Sequence, residues 1–429
     1  MVKFLNKKKI DFETVLLNIL LLTSVDTILF GTNASLTLRY IPRIIGLLSS
    51  FVLLLIYIID KKIKNPLLIF TFVFITLLFF ASCANNKNEI QGVLSRFISI
   101  LTGFLIALSI NRKKFLRVFV SFVSFVCIIA ILTELIAYIA PSIFGVFPIV
   151  SNSVGHQFRV FLIGSIEISE LNNTLIRSNG IFWEPGAFAI YIIIALVFEL
   201  FFFETINYKR VLTEIIGLFL TFSTTGYICL FALLFVFLLF KRSNQTAYKW
   251  YKPIIVATLL MSFGFIVFSS ELLKEEVFGK IILKNSSAGS RFSSFFNGLA
   301  ISFKYPLLGI GDKSSDIMKE YLSTINTWYS NGGVNINNTI TGYMASYGIP
   351  FGSLLMLGNF LSLRQRNDNK LLFVFLCLII MLAYCGERFF SFLPFALMFF
   401  GFKNDRLKET KQDTDISKYD KNRNYKYIR

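Results

Sequence analysis

The stretch RSNGIFWEPG places Arg177 and Glu184 close together, just before a long apolar run. An arginine offers a planar, bidentate fork that suits anions, and a carboxylate can take a proton from a reacting hydroxyl. The polar segment ahead of them carries His156, Arg159, Glu167 and Glu170, and His156 is the single histidine of the chain. A second segment, SRFSSFFNGLAISFKYPLLGIG, has Arg291 at its head. A third, VNINNTITGYMASYGIPFG, holds Asn337, Asn338 and Tyr343.

Each candidate also has a plain structural reading. Pro185 suits the first turn of a helix, which would make Glu184 an N-terminal residue favoured by the helix dipole. Asn337 and Asn338 precede an apolar run and suit helix caps. A lone histidine in a polar loop is more often incidental than catalytic. PLLGIG lacks the lysine of a phosphate loop and reads as a turn that ends a helix. Phe292, Phe295, Phe296, Leu299 and Phe303 recur at helical spacing, as in an amphipathic helix lying at a membrane interface.

The elements that must position these residues are apolar. Of 429 residues, 55% are hydrophobic, only 16% are charged and 50 are phenylalanine. A soluble chain carries about 25% charge, so this composition needs lipid to face. Apolar runs recur from about residue 14 to residue 402, which leaves no room for a sizeable soluble domain. The net charge of +18 comes from lysines and arginines gathered between apolar runs, as cytoplasmic loops require, and does not indicate nucleic acid. The five cysteines form no CxxC pair and imply neither a disulfide framework nor a zinc site. The N-terminus reads as a retained first span.

Runs near the ~20 residues needed to cross a bilayer predict spans at roughly 14–31, 44–59, 65–84, 97–111, 115–140, 184–203, 253–270, 338–363, 370–386 and 389–402. The uncharged run between Glu214 and Lys241 is interrupted by STTG at Ser223 to Gly226 and has basic clusters on both sides. A hairpin turning at STTG keeps both clusters inside. The expected fold is therefore an all-α polytopic membrane protein of about twelve transmembrane helices, with both termini cytoplasmic. Residues 1–402 form the membrane domain, with external loops at about 141–183 and 271–337. Residues 403–429 form a basic tail expected to be disordered. Long loops on a rigid scaffold are where function tends to sit.

These residues resemble the Wzy-type polysaccharide repeat-unit polymerases, of the superfamily that also contains the O-antigen ligases. The resemblance rests on Arg177, Gly180 and Glu184 to Gly186, and on TFSTTGYI from Thr221 to Ile228. It rests further on Arg291 followed by Pro306 to Gly311, and on NNTITGYMASYGIPFG. Ligases of this superfamily typically carry a histidine where Asn337 stands, and often an arginine where this chain has Thr224. Both departures weaken the ligase reading and leave the polymerase reading intact.

The resemblance implies a metal-independent, cofactor-free glycosyltransferase in the bacterial cytoplasmic membrane. It would join oligosaccharide repeat units carried on undecaprenyl diphosphate, at the outer face, into O-antigen or capsule. Arg177 and Arg291 would hold the diphosphate, and Glu184 or His156 would receive the proton. Arg159, Asn337, Asn338 and Tyr343 would bind the sugars. A chain-length regulator and a flippase are the implied partners, with the lipid bilayer as surroundings. Two alternatives remain: an O-antigen ligase-type transferase, and a lipid-linked oligosaccharide flippase or transporter that would use Asp26, Glu134 and Glu199 within its spans.

Overall fold

The computed structural model describes residues 12–24, 26–32, 35–59, 65–152, 155–172, 176–240, 287–312, 336, 338–364, 369–389 and 391–403. Among the described residues, five helices precede the first long connection: α1 (Phe12–Leu22), α2 (Leu36–Ile59), α3 (Pro66–Asn85), α4 (Ile90–Ser109) and α5 (Arg112–Ile139), followed by the short α6 (Pro141–Phe144). After that segment come α7 (Pro185–Phe201), α8 (Tyr208–Leu220) and α9 (Thr224–Phe240). The remaining described helices are α10 (Ser287–Lys304), α11 (Thr339–Tyr347), α12 (Ile349–Ser362), α13 (Lys370–Tyr384) and α14 (Leu393–Phe402). The expected span at 253–270 and nearly all of the 403–429 tail lie outside the described residues.

The helix starts follow local chemistry. Asn65, Asn111, Asn207, Asn338 and Asn369 each accept a backbone N–H of the first turn through the side chain, which satisfies donors that have no partner within the helix. Pro66, Pro185 and Pro394 occupy the first turn, where a missing N–H costs nothing. Helices α3, α4 and α5 are each long and apolar enough to cross a membrane. Leu67, Phe70 and Leu77 on α3 remain exposed, as befits a surface turned toward lipid.

The core forms around α7, in which every residue from Pro185 to Leu200 is buried. It packs on α5, α8, α9 and α13. Phe201, at its end, lies 6.0 Å from the Phe237 ring of α9, and Glu199 lies 3.9 Å from Arg210 of α8. The start of α8 and the end of α9 therefore flank the same end of α7. At the opposite end, the Ser178 amide donates to Leu220 at 2.9 Å. The chain thus reverses between α8 and α9 at Thr221–Ser223, with Phe222 at φ +46°, as the interrupted run predicts.

Three expectations need correction. The chain is not purely helical: the segment between α6 and α7 builds an antiparallel sheet of β1 (Ile149–Ser151), β2 (Gln157–Phe161) and β3 (Gly164–Glu167). Alternation is the reason, since Phe158, Val160 and Ile166 turn inward as a half-buried sheet requires. The first span is shorter than expected. It ends at Leu22, and short polar residues then let the chain pair sideways: Thr27 bridges Phe182, and Trp183 donates to the Asp26 carbonyl at 3.2 Å.

The run 338–363 is also not one helix, because it breaks at Gly348. That residue sits at φ +94°, a conformation L side chains avoid. A Cβ there would stand 2.1 Å from the Leu307 carbonyl oxygen.

Candidate functional site

The break between α11 and α12 is filled by the PLLGIG segment. Ile310 and Gly311 donate to the Ala345 and Ser346 carbonyls at 2.9 and 2.8 Å, and Ile349 donates to the Pro306 carbonyl at 2.8 Å. The backbone groups freed by the break thus find partners in an inserted loop, as buried backbone requires. Gly309, at φ +62°, could not carry a side chain here, because a Cβ would meet Ala345 and Ser346 backbone at 2.4–2.6 Å. Ser82 of α3 closes the seat by donating to the Leu308 and Ser346 carbonyls.

The next residue after that seat is Asp312, which joins three helical layers. Arg96 of α4 donates to Oδ2 at 3.2 Å, and Arg388 of the α13–α14 connection donates to Oδ1 at 3.0 Å. Tyr347 adds its hydroxyl to Oδ2 at 2.6 Å, and Ser346 its hydroxyl to Oδ1 at 3.3 Å. Burial alone would push this carboxyl up. The two guanidinium groups and the Tyr347 hydroxyl outweigh it and hold the carboxyl well below the usual range. Arg388 also donates to the Ser346 hydroxyl at 2.8 Å and lies 5.5 Å over the Tyr343 ring.

A second cluster lies where the segment between α6 and α7 enters the bundle. Tyr191 donates to Asp26 at 3.1 Å and meets Ser391 at 3.0 Å. Arg177 is half-buried and within electrostatic reach of the Tyr227 hydroxyl at the start of α9. Ser178 and Asn179, the next two residues, are 1% and 0% exposed. Among the described residues, no group of three or more His, Cys, Asp or Glu could hold a metal ion.

The expected site residues are distributed as follows. Arg177 and Glu184 stand at the same end of the bundle. Glu184 occupies the N-cap position of α7 in extended backbone, and its side chain makes no capping bond. His156 hydrogen-bonds Glu167 at 2.8 Å on the sheet, and Arg159 donates to the Phe147 carbonyl at 2.8 Å. Asn338 caps α11 by accepting the Thr341 amide at 2.8 Å. Tyr343 is fully buried and donates to the Phe389 carbonyl at 2.8 Å.

Arg291 belongs to α10, but its side chain, like all of Asn337, lies outside the described residues. The buried face of α10 is formed by Ser294, Asn297, Gly298, Ile301 and Ser302, while Phe296 and Phe303 point outward. Phe295 is half-buried, and Gly298 makes a close contact with α11, where an added Cβ would stand 2.7 Å from the Thr341 Oγ1.

Sequence reasoning missed Arg96, Asp312 and Arg388. A signal was present in two of them. Arg96 stands at the mouth of an apolar run, and Arg388 lies in a short connection between two others, where charge is rare and marks a partner. Asp312 gave none, because its neighbours come from segments far apart in the chain.

Compared with known families, residues 211–357 match the model of the O-antigen ligase family. That stretch runs from α8 through the α8–α9 turn, α10 and the PLLGIG seat into α12. No curated protein and no solved structure matches the chain. The matched domain supports the chain's membership of the O-antigen ligase/polymerase superfamily of membrane glycosyltransferases.

Proposed function

We propose that this protein polymerises undecaprenyl-diphosphate-linked oligosaccharide repeat units into surface polysaccharide, O-antigen or capsule, at the outer face of the cytoplasmic membrane. The observation that carries the reading is the O-antigen ligase family domain, whose α8–α9 turn is bonded directly to the residue following Arg177. In this reading the chain crosses the membrane about twelve times with both ends inside. The reversal at Thr221–Ser223 supports that count.

The chemistry asks little of the protein. The anomeric carbon of the growing chain forms a bond to an acceptor hydroxyl oxygen, its bond to the diphosphate breaks, and the electron pair leaves with the phosphate oxygen. Arg177 and Arg291 stabilise the charge that develops there. Glu184, at the N-cap position of α7, accepts the hydroxyl proton. The phosphate bond supplies the driving force, so no nucleotide or metal enters the scheme. The incoming units would be delivered by a flippase, and chain length set by a regulator.

A second reading, O-antigen ligase-type transfer, is favoured by the description of the matched family itself. Asn337, standing where such ligases carry histidine, favours polymerisation. Lipid-linked repeat units extracted from source cells lacking this gene provide the test. Purified protein in liposomes should convert them into a ladder of longer chains and free prenyl diphosphate. No ladder without an added lipid-core acceptor, and single transfer with it, would replace the polymerase reading by the ligase one.

A further inference from the structure

The β2–β3 turn lies along the side of α5. A Cβ added at Gly164 would stand 2.5 Å from the Thr133 hydroxyl oxygen and 2.9 Å from Cγ2 of Ile129, so the turn rests flat on that flank of the helix. Its two central residues go opposite ways. Ile163 packs against the bundle core, whereas Leu162 is 65% exposed. Leu162 also sits at φ +56°, a left-handed conformation that glycine or asparagine adopts at less cost.

Helix α5 supplies a scale of depth. It is long and apolar enough to cross a membrane, and Arg112, Lys113, Lys114 and Arg117 mark its basic end. A hydrocarbon core takes about 20 helical residues, which from Val118 reach Ala137. Tyr138 then falls at the interface, where amphipathic rings settle. Its hydroxyl accepts the Ile176 amide at 2.8 Å. Thr133, one helical turn before Ala137, is about 6 Å inside that boundary. The turn that rests on Thr133 and Ile129 therefore reaches below the headgroups.

The apolar surface runs to the same place. Phe125, Ile128, Leu132, Leu135 and Ile139 are exposed at successive steps of three or four residues, the stripe that a spanning helix turns toward lipid. Ile143 of α6 carries it past the helix end. Ile129 and Thr133, which hold the turn, each follow a residue of that stripe in sequence. The strands pair as far as Phe161 and Gly164, so the hairpin supplies its own backbone partners up to the two-residue turn, as chain at that depth must.

We propose that the β2–β3 turn is a lipid anchor, with Leu162 inserted in the acyl region of the leaflet at the C-terminal end of α5. Apolar groups held at an interface reach about 5–10 Å into that boundary, which is the depth of this turn. The left-handed leucine then has a use that glycine or asparagine could not supply, since neither carries enough apolar surface. The sheet passes its height on: the Ser165 amide of β3 donates to the Gly180 carbonyl at 2.7 Å, which ties the Arg177 segment to the same level. The anchor goes beyond the proposed reaction and rests on α5 spanning the bilayer.

The test places nitroxide labels on Leu162→Cys, Phe125→Cys and Gln157→Cys in full-length protein in phospholipid nanodiscs. Collisions with molecular oxygen, which concentrates among acyl chains, are compared with collisions with a water-soluble nickel chelate. Wild type treated with the same label subtracts the native thiols, of which Cys385 is half-buried. Phe125→Cys marks the lipid-facing stripe, and Gln157→Cys the far end of β2. The Leu162→Cys label should favour oxygen over nickel several-fold more than the Gln157→Cys label does. A Leu162→Cys label as open to nickel as Gln157→Cys, with Phe125→Cys in lipid, overturns the anchor and leaves the span of α5 standing. An aqueous Phe125→Cys label removes the span and the anchor together.

Leu162→Asn gives a second reading, because asparagine suits the left-handed turn. It should not lower the melting temperature in detergent, yet should quicken amide exchange of β2 and β3 several-fold in nanodiscs. Unchanged exchange there would count against the anchor.

Discussion

Arg388 and Asp312 meet at 3.0 Å, although they come from the α13–α14 connection and from the loop after α10. Arg96 of α4 completes the bridge from the other side at 3.2 Å. One carboxylate thus holds the segment after α10 against two separate parts of the bundle.

Asp312→Asn removes the charge but keeps the shape, leaving two guanidinium groups half-compensated. The carboxylate is 25% exposed, so breaking the pair costs less than for a fully buried one, about 1–3 kcal/mol. A clear drop in thermal unfolding temperature in detergent is expected, and an unchanged melting curve would count against the bridge.

The pH dependence of that bridge has a definite sign. The folded carboxyl is held below its usual value, first against burial and then by Arg96 and Arg388. A depressed carboxylate contributes stability above its unfolded pKa of about 4, and that contribution is lost as pH falls further. The stability gap between wild type and Asp312→Asn should be flat from neutral pH down to about 5 and narrow below about 4. A gap that narrows between pH 8 and 6 would assign it to another group.

Gly348→Ala meets two penalties, a left-handed backbone at φ +94° and a collision with the Leu307 carbonyl. The cost should exceed the roughly 1 kcal/mol of a strained φ alone, because PLLGIG would have to leave its seat. Folded yield and melting temperature report it. Near-native values for both would mean that the seat gives way easily.

Asn338→Ala should cost about 1 kcal/mol through the lost cap of α11, with polymer length nearly preserved. His156→Ala should likewise preserve polymer, because the imidazole is bonded to Glu167 on the outer sheet. A severe loss of polymer in His156→Ala at normal protein level would return the histidine to the chemistry.

Glu184 and Arg291 remain the direct tests of the proposed reaction. Glu184→Gln should slow polymerisation by about 10²-fold or more if the carboxylate takes the acceptor proton. Arg291→Lys should shorten the polymer sharply, since lysine keeps the charge and loses the bidentate fork. Glycan length profiles at matched membrane protein levels measure both. Near-normal polymer in Glu184→Gln and Glu184→Asp would leave that residue only its place at the head of α7.

What the residues determined by themselves was the part governed by local rules. Apolar runs located most helices, Asn338 and Pro185 located two of their starts, and STTG located the reversal after α8, because each is a property of a short window. The pairing of Glu184 with a helix start was legible for the same reason. Tertiary structure alone decided the rest. The break at Gly348 depends on Pro306 to Gly311 arriving to satisfy its backbone groups, and Asp312 has meaning only where Arg96 and Arg388 converge. Charges buried in a bundle are defined by partners distant along the chain, and no window of sequence contains both.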